Sequence, residues 1–266
     1  ANRARFINNQ IGIDFNPFDN FFPVPFPNAG TETSYFANFE NCLFENNSNY
    51  PHLSKFFTFV KLKDVNGIKF SSCDFQNDGY QPTSFNSIID QGFGIYSEES
   101  SFRVRAKCIS STFPCSSYDI GQFKNLGVGI VAFGNPSLAD NFTIERTQFT
   151  DCYRGIHIDG KEGGTMTNNR FELGNVPMYA DNQFAQIGIT LVNDITTMTL
   201  AENEFIGVPN DVLETIGIFC DKTSTANKYV NNNYFSRLDV GNMAAGRNGG
   251  NSGGLFYTCN TNFENT

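Results

Sequence analysis

The sequence predicts an all-β fold, a right-handed parallel β-helix: a solenoid of roughly nine coils. Three observations predict it. The 266 residues carry 29 Phe and no Trp, with 24 Gly, many Asn and only 17% charged residues, a balance that suits turn-dense β structure and not helices. Two short signatures recur along the chain. They alternate with a period near 30 residues, and one of each per period means one coil per period.

The first signature is Gly-Ile followed by an alternating strand. It stands at Gly12-Ile13, Gly67-Ile68, Gly94-Ile95, Gly129-Ile130, Gly155-Ile156, Gly188-Ile189 and Gly217-Ile218, with Gly254-Leu255 as a variant. From Gly67 the spacings are 27, 35, 26, 33, 29 and 37 residues. The second signature is an apolar residue, Asn or Cys three positions later, and Phe two after that. Met166-Asn169-Phe171, Leu200-Asn203-Phe205 and Val230-Asn233-Phe235 carry Asn, whereas Phe39-Cys42-Phe44 and Phe70-Cys73-Phe75 carry Cys. Ile144, Thr147 and Phe149 keep the apolar frame alone. Residues 13–66 and 103–128 are less regular and are expected to hold insertions.

Alternate residues of a strand face one side. Ile95, Ile130, Ile156, Ile189, Ile218 and Leu255 are therefore expected to form one interior stack, and the Phe residues of the second signature another. Asn tolerates the left-handed backbone region better than other side-chain-bearing residues, which suits a sharp corner. Stacked Asn can also hydrogen-bond along the axis. Roughly nine coils at about 4.8 Å each give a rod about 43 Å long. A leucine-rich repeat would show Leu in a shorter period. A propeller blade needs four strands in a longer one, and helical repeats do not fit the Asn-rich, β-branched pattern.

Gly-Ile-x-apolar alternating with Asn-x-Phe resembles the right-handed parallel β-helix repeats of the pectate-lyase-like superfamily, from about Gly67 to the C-terminus and more weakly back to Gly12. In its Asn/Phe-rich style the chain also resembles long bacterial surface proteins exported by the type IX route. The first resemblance implies activity on acidic polysaccharides as something to look for. Polygalacturonase-like members carry Asn-Thr-Asp, Asp-Asp, Gly-His-Gly and Arg-Ile-Lys strings, and none occurs here. Lyase-like members pair a basic residue with clustered acidic calcium ligands, and the sequence holds no tight acidic cluster of that kind.

A net charge of −9 argues against nucleic acid as a partner, which needs clustered Lys and Arg. No apolar run is long enough for a membrane span. Seven Cys are an odd number, so at least one has no partner within the chain. No Cys-x-x-Cys occurs and the two His lie far apart, so neither a metal site nor a cofactor is expected. Cys42 and Cys73 occupy equivalent corners, where an axial disulfide or a buried thiol stack would fit. Cys108 and Cys115 could close a short loop, and Cys220 should be interior.

The candidate catalytic group is Arg154-Gly-Ile-His157-Ile-Asp159-Gly-Lys161. With Ile156 and Ile158 inward, His157 and Asp159 point outward side by side. Asp159 could then orient the imidazole, and Arg154 or Lys161 could hold a carboxylate. The competing reading is an exposed strand with ordinary polar residues, since no carboxylate pair is specified. His52 lies in an irregular loop. The outward positions of the Gly-Ile strands are Tyr96, Val131, His157, Thr190, Phe219 and Phe256; of these Tyr96, Phe219 and Phe256 are the candidate binding residues. Residues 16–30 interleave Phe18, Phe21, Phe22 and Phe26 with four Pro and should pack on the solenoid or on another chain. Residues 241–253, rich in Gly and Asn, read as a flexible excursion.

Both ends fall inside repeat-like segments, so the chain is expected to be a single β-helix domain within a longer protein, or to have an end covered by another chain. Two function classes follow. One is a non-catalytic extracellular or cell-surface module for adhesion or glycan binding, or a structural segment of a surface assembly. Its partners would be glycans, other surface proteins or further copies of itself. The other is a polysaccharide lyase or glycoside hydrolase acting on an acidic polysaccharide. In the second class, His157→Ala abolishes cleavage without unfolding the chain, and unchanged turnover removes His157 from the chemistry.

Overall fold

A computed structural model describes residues 3–16, 37–50, 56–79, 91–134, 141–161, 163–174, 185–193, 195, 197–208, 214–223, 226–250 and 253–265. The Phe/Pro segment through Phe26 and His52 lie outside the described residues. The strands form three long parallel sheets of nine, eight and eight strands. Each sheet takes every third strand of the coil path, so the chain winds as a parallel β-helix with eight complete coils and a ninth begun. The fifth coil shows the plan: Gln148–Thr150 lies in the first sheet, Arg154–Asp159 in the second and Gly164–Thr167 in the third. Arg170–Leu173 then opens the sixth coil beside Gln148–Thr150.

The interior is built from ladders. In the first sheet Phe6, Phe44, Phe75, Phe123, Phe149, Phe171, Phe205 and Phe235 stack one per coil. Their ring centroids lie 4.5 to 5.0 Å apart, and the rings are within 8° of parallel. That spacing matches the rise between neighbouring strands, about 4.8 Å. Ile95, Ile130, Ile156, Ile189 and Ile218 form the expected stack in the second sheet, all fully buried.

The Gly before each Ile is required by the Phe ladder. A Cβ on Gly155 would sit 2.7 Å from both the Phe171 ring and the Gly188 carbonyl oxygen; one on Gly188 would meet Phe205 and Gly217 equally closely. No side chain fits at these contacts. Coil two alone breaks the rule, with Phe59 in register between Gly12 and Gly94. Phe59 is fully buried, its ring tilted against Phe44 and Phe75.

Asn169, Asn203, Asn233 and Asn260 form a third ladder at the corner between the third and first sheets. The backbone N–H and Nδ2 of Asn169 both donate to Asn203 Oδ1 at 3.0 Å. Asn203 donates likewise to Asn233, and Asn233 to Asn260. Each Nδ2 also donates to a carbonyl of the preceding coil: Ile144, Met166, Leu200 and Val230 in turn. The expectation that these Asn take the left-handed turn is corrected. The left-handed residue is the one before each: Asn168, Glu202, Asn232 and Cys259, with φ of 54° to 58°. That residue bends the chain, and the following Asn can then face the buried ladder.

Three register expectations also change. Ile68 and Leu255 lie in the third sheet, not in the Gly-Ile sheet. The second-sheet strand of the last coil is Val240–Ala245, paired with Ile216–Asp221, so residues 241–245 of the supposed flexible excursion are strand. The Gly-Ile pattern fails there because Asn242 replaces the inward Ile and Asn262 the inward Phe. The irregular stretch near 103–128 is an inserted antiparallel hairpin, Lys107–Cys108 with Tyr118–Asp119, closed by a Cys108–Cys115 disulfide. Cys220 is buried as expected. Cys42 and Cys73 are free buried thiols.

Phe171→Ala should lower folding stability by about 3–5 kcal/mol in denaturant titration, because the ring is fully buried between two others. Asn203→Leu keeps the branched outline of the side chain but strands Asn169 N–H and the Met166 carbonyl. It should cost roughly 3 kcal/mol, and a loss under about 1 kcal/mol would show the ladder to be dispensable.

Candidate functional site on the outer face of the Gly-Ile sheet

The outward residues of the second sheet are not needed to build the coil, so their identity is free for other use. One outward row runs Lys61, Tyr96, Val131, His157, Thr190, Phe219 and Met243 in register. A second row runs Lys63, Glu98, Phe133, Asp159, Val192, Asp221 and Ala245. Tyr96, His157 and Phe219 are half-buried, Val131 and Thr190 are buried, and Met243 is exposed.

Aromatic rings are contiguous across coils two to five. Phe56 meets Phe93 edge-on at 5.0 Å. Phe93 lies parallel to Tyr96 at 6.2 Å, Tyr96 reaches Phe133 at 5.5 Å, and Phe133 reaches the His157 ring at 6.3 Å. Sequence reading found Tyr96 and His157 here but missed Phe133, although Phe133 is two residues beyond the outward Val131 and was readable from the same alternation. It missed Phe93 because that residue precedes the Gly of the signature, and Met243 because the last strand was misplaced. Phe256 belongs elsewhere. It lies on the third sheet, 44% exposed and stacked on Tyr229 at 5.5 Å. Phe219 is three coils from Phe133, with Asp159, Val192 and Asp221 along the row between and beside them.

The four residues of the candidate catalytic group separate. Arg154 Nη1 lies 3.2 Å from His157 Nδ1. The guanidinium can only donate, so Nδ1 accepts and the imidazole proton sits on Nε2. The Asp159 carboxylate accepts a 2.6 Å hydrogen bond from Asn193 Nδ2 and acts on His157 only through space. Lys161 is fully buried at the next corner, where its ammonium donates to the Ser100 carbonyl at 2.9 Å. It is therefore not presented to a substrate. Burial, and then the neighbouring Arg154 charge, push the His157 pKa down to about 4, with Asp159 opposing. Burial also lowers Arg154 from its ordinary value. Beside His157 in its row, the buried Thr190 hydroxyl makes no hydrogen bond.

The face therefore offers flat aromatic surface, a neutral imidazole with a free N–H donor and a partly desolvated guanidinium; the Thr190 hydroxyl is buried beneath it. Among the described residues no group of three or more His, Cys, Asp or Glu could hold a metal ion. No helix among them is long and apolar enough to cross a membrane.

Because His157 is depressed from 6.5 to about 4, the unfolded chain takes up its proton first on acidification. The associated stability, roughly 3 kcal/mol at most, is complete above pH 6.5 and is lost as pH falls toward 4. NMR titration should find the imidazole neutral through pH 5–8, and Arg154→Met should raise its pKa part of the way back; an unperturbed titration near 6.5 would contradict the burial described. Against known proteins, the chain matches no family model, no curated protein and no solved structure.

Proposed function

We propose that this chain is a non-catalytic extracellular β-helix module of a bacterial surface protein, of the pectate-lyase-like kind, that binds glycans through the outer face of the Gly-Ile sheet. The observation that carries this reading is the run of rings from Phe93 through Tyr96 and Phe133 to His157. Coil building explains the inward Phe and Ile but asks for no aromatic outside. Aromatic faces offer apolar area to the C–H faces of a sugar ring, and nearby polar groups fix its hydroxyls. His157 and the lysines Lys61 and Lys63 lie along the same two rows as the rings.

The disulfide-closed hairpin at Cys108–Cys115 supports an oxidising, extracellular setting. Adhesion to a carbohydrate-coated surface, or a place in a surface assembly, would use the same long face.

A second reading, a lyase or hydrolase for acidic polysaccharides, draws on one observation: the partly desolvated Arg154 guanidinium beside a neutral imidazole. Such a pair could receive a carboxylate and relay a proton.

Glycan-array screening followed by calorimetry on the selected glycan tests the first reading. Tyr96→Ala and Phe133→Ala should each weaken binding about tenfold, the equivalent of about 1.4 kcal/mol. Unaltered affinity in both variants would rule the face out. Appearance of unsaturated or reducing-end products from the same glycan, lost in His157→Ala, would move the assignment to the second reading.

A further inference from the structure

The corner column that carries Asn in the later coils is occupied by cysteine in the early ones. Pairing of Leu43 with Asp74 sets Cys42 beside Cys73 on adjacent strands. Neighbouring parallel strands lie about 4.8 Å apart, within the Cα separation a disulfide accepts, about 4.4–6.8 Å. Both thiols are free and buried, at 5% and 3% exposure, and the Cys42 thiol donates to the Glu40 carbonyl at 3.6 Å. The Cys73 thiol also donates to the Phe39 carbonyl at 3.3 Å. Arg3 brackets the pair, donating to the Cys42 carbonyl and ion-pairing with Asp74 at 2.7 Å.

The other free cysteines lack such a neighbour. Cys220 lies between Leu191 and Ala244, and Cys259 stands beside Asn232. Cys152 hydrogen-bonds to backbone carbonyls of Phe123 and Thr150.

We propose that Cys42 and Cys73 form an oxidisable axial dithiol, a modification site at which a low-molecular-weight disulfide closes the second coil into a covalent ring. The Cys42 thiolate attacks the oxidant and expels one thiol, leaving a mixed disulfide. The Cys73 thiolate then attacks the Cys42 sulfur and expels the second thiol. Two protein S–H bonds are lost and one S–S bond forms; the two electrons and two protons leave with the oxidant as two thiols.

The chemistry has a physical reason to sit here. Later coils are tied at this corner by the Asn169–Asn203–Asn233–Asn260 amides. At Cys42 and Cys73 the corner side chains offer thiol hydrogen bonds, weaker than those of the amides, beside the Arg3–Asp74 ion pair, so a covalent link adds most where the amide ladder is missing. Burial pushes both thiols up, Cys73 to about 12, while the neighbouring Cys73 thiol and Arg3 draw Cys42 back. Closure in the folded state is therefore slow. It proceeds faster while the early coils are assembling, and the test includes both routes.

The full chain, reduced only at its free thiols, is incubated with oxidised glutathione, and a second sample is refolded from denaturant in the same buffer. Remaining thiols are alkylated under denaturing conditions and mapped by mass spectrometry. The refolded sample should lose two alkylation sites, with a linked peptide pair joining residues 42 and 73. Its melting temperature should rise by roughly 5–10 °C. Cys42→Ser and Cys73→Ser should fold as judged by circular dichroism, yet show no oxidation-dependent rise. Full alkylation of both residues in both samples overturns the proposal. So does a mapped link that joins either of them to Cys259 or Cys220 instead, or a link that leaves the melting temperature unchanged.

Discussion

The stacking of one Phe ring per coil against a bare Gly backbone is the contact on which the rest of this structure depends. The ring spans the interior from the first sheet to the second, and the second sheet has to give up its side chain to receive it. That sacrifice ties the register of the second sheet to that of the first. Shifting a strand that carries the Gly by one residue would place an Ile or a polar side chain against the Phe ring. It also explains why a coil cannot stand alone: a ring is buried on both faces only when coils above and below supply theirs.

Inside and outside obey different rules. Inward, identity is dictated coil after coil, and Phe, Ile and Asn repeat because the same space repeats. Outward, the residues at one row position range over Lys, Tyr, Val, His, Thr, Phe and Met. Variation of this kind within a repeating frame is where function is most readily lodged. His157 marks the boundary between the two regimes. It faces outward by alternation, yet it is shielded enough, and close enough to Arg154, to stay neutral.

Much of the architecture was legible from the chain itself, because period-two alternation within strands and one Phe per coil are linear patterns. The Ile95-to-Ile218 stack, the Phe ladder and the hairpin disulfide were all readable. Gly67-Ile68 and Gly254-Leu255 misled because a Gly followed by an inward apolar residue can open a strand in the third sheet as well as in the second. Val240–Ala245 was hidden because Asn242 breaks the string without breaking the strand. The left-handed corner residues were not legible at all. Asn168 and Asn232 are Asn, but Glu202 and Cys259 take the same backbone angle with unrelated side chains, so no single letter announces the corner. At the candidate site, alternation told which residues face outward. It could not tell that the Lys161 chain turns inward to the Ser100 carbonyl, since that depends on a corner and on a residue 61 positions away.

The Asn ladder has a direction. The bonds from rung to rung all run one way: Thr147 N–H, Asn169, Asn203 and Asn233 each donate to the Oδ1 of the next Asn toward the C-terminus, ending on Asn260. Amide dipoles aligned in this way polarise one another, so the column behaves as a single polar filament and not as separate clips. A filament of this kind has a head and a tail. It can be lengthened by inserting a whole coil with its own Asn, or shortened by removing one, without altering the contacts of the rest. It cannot be reversed, so any segment joined to this stack in the same register must carry its amide in the same orientation.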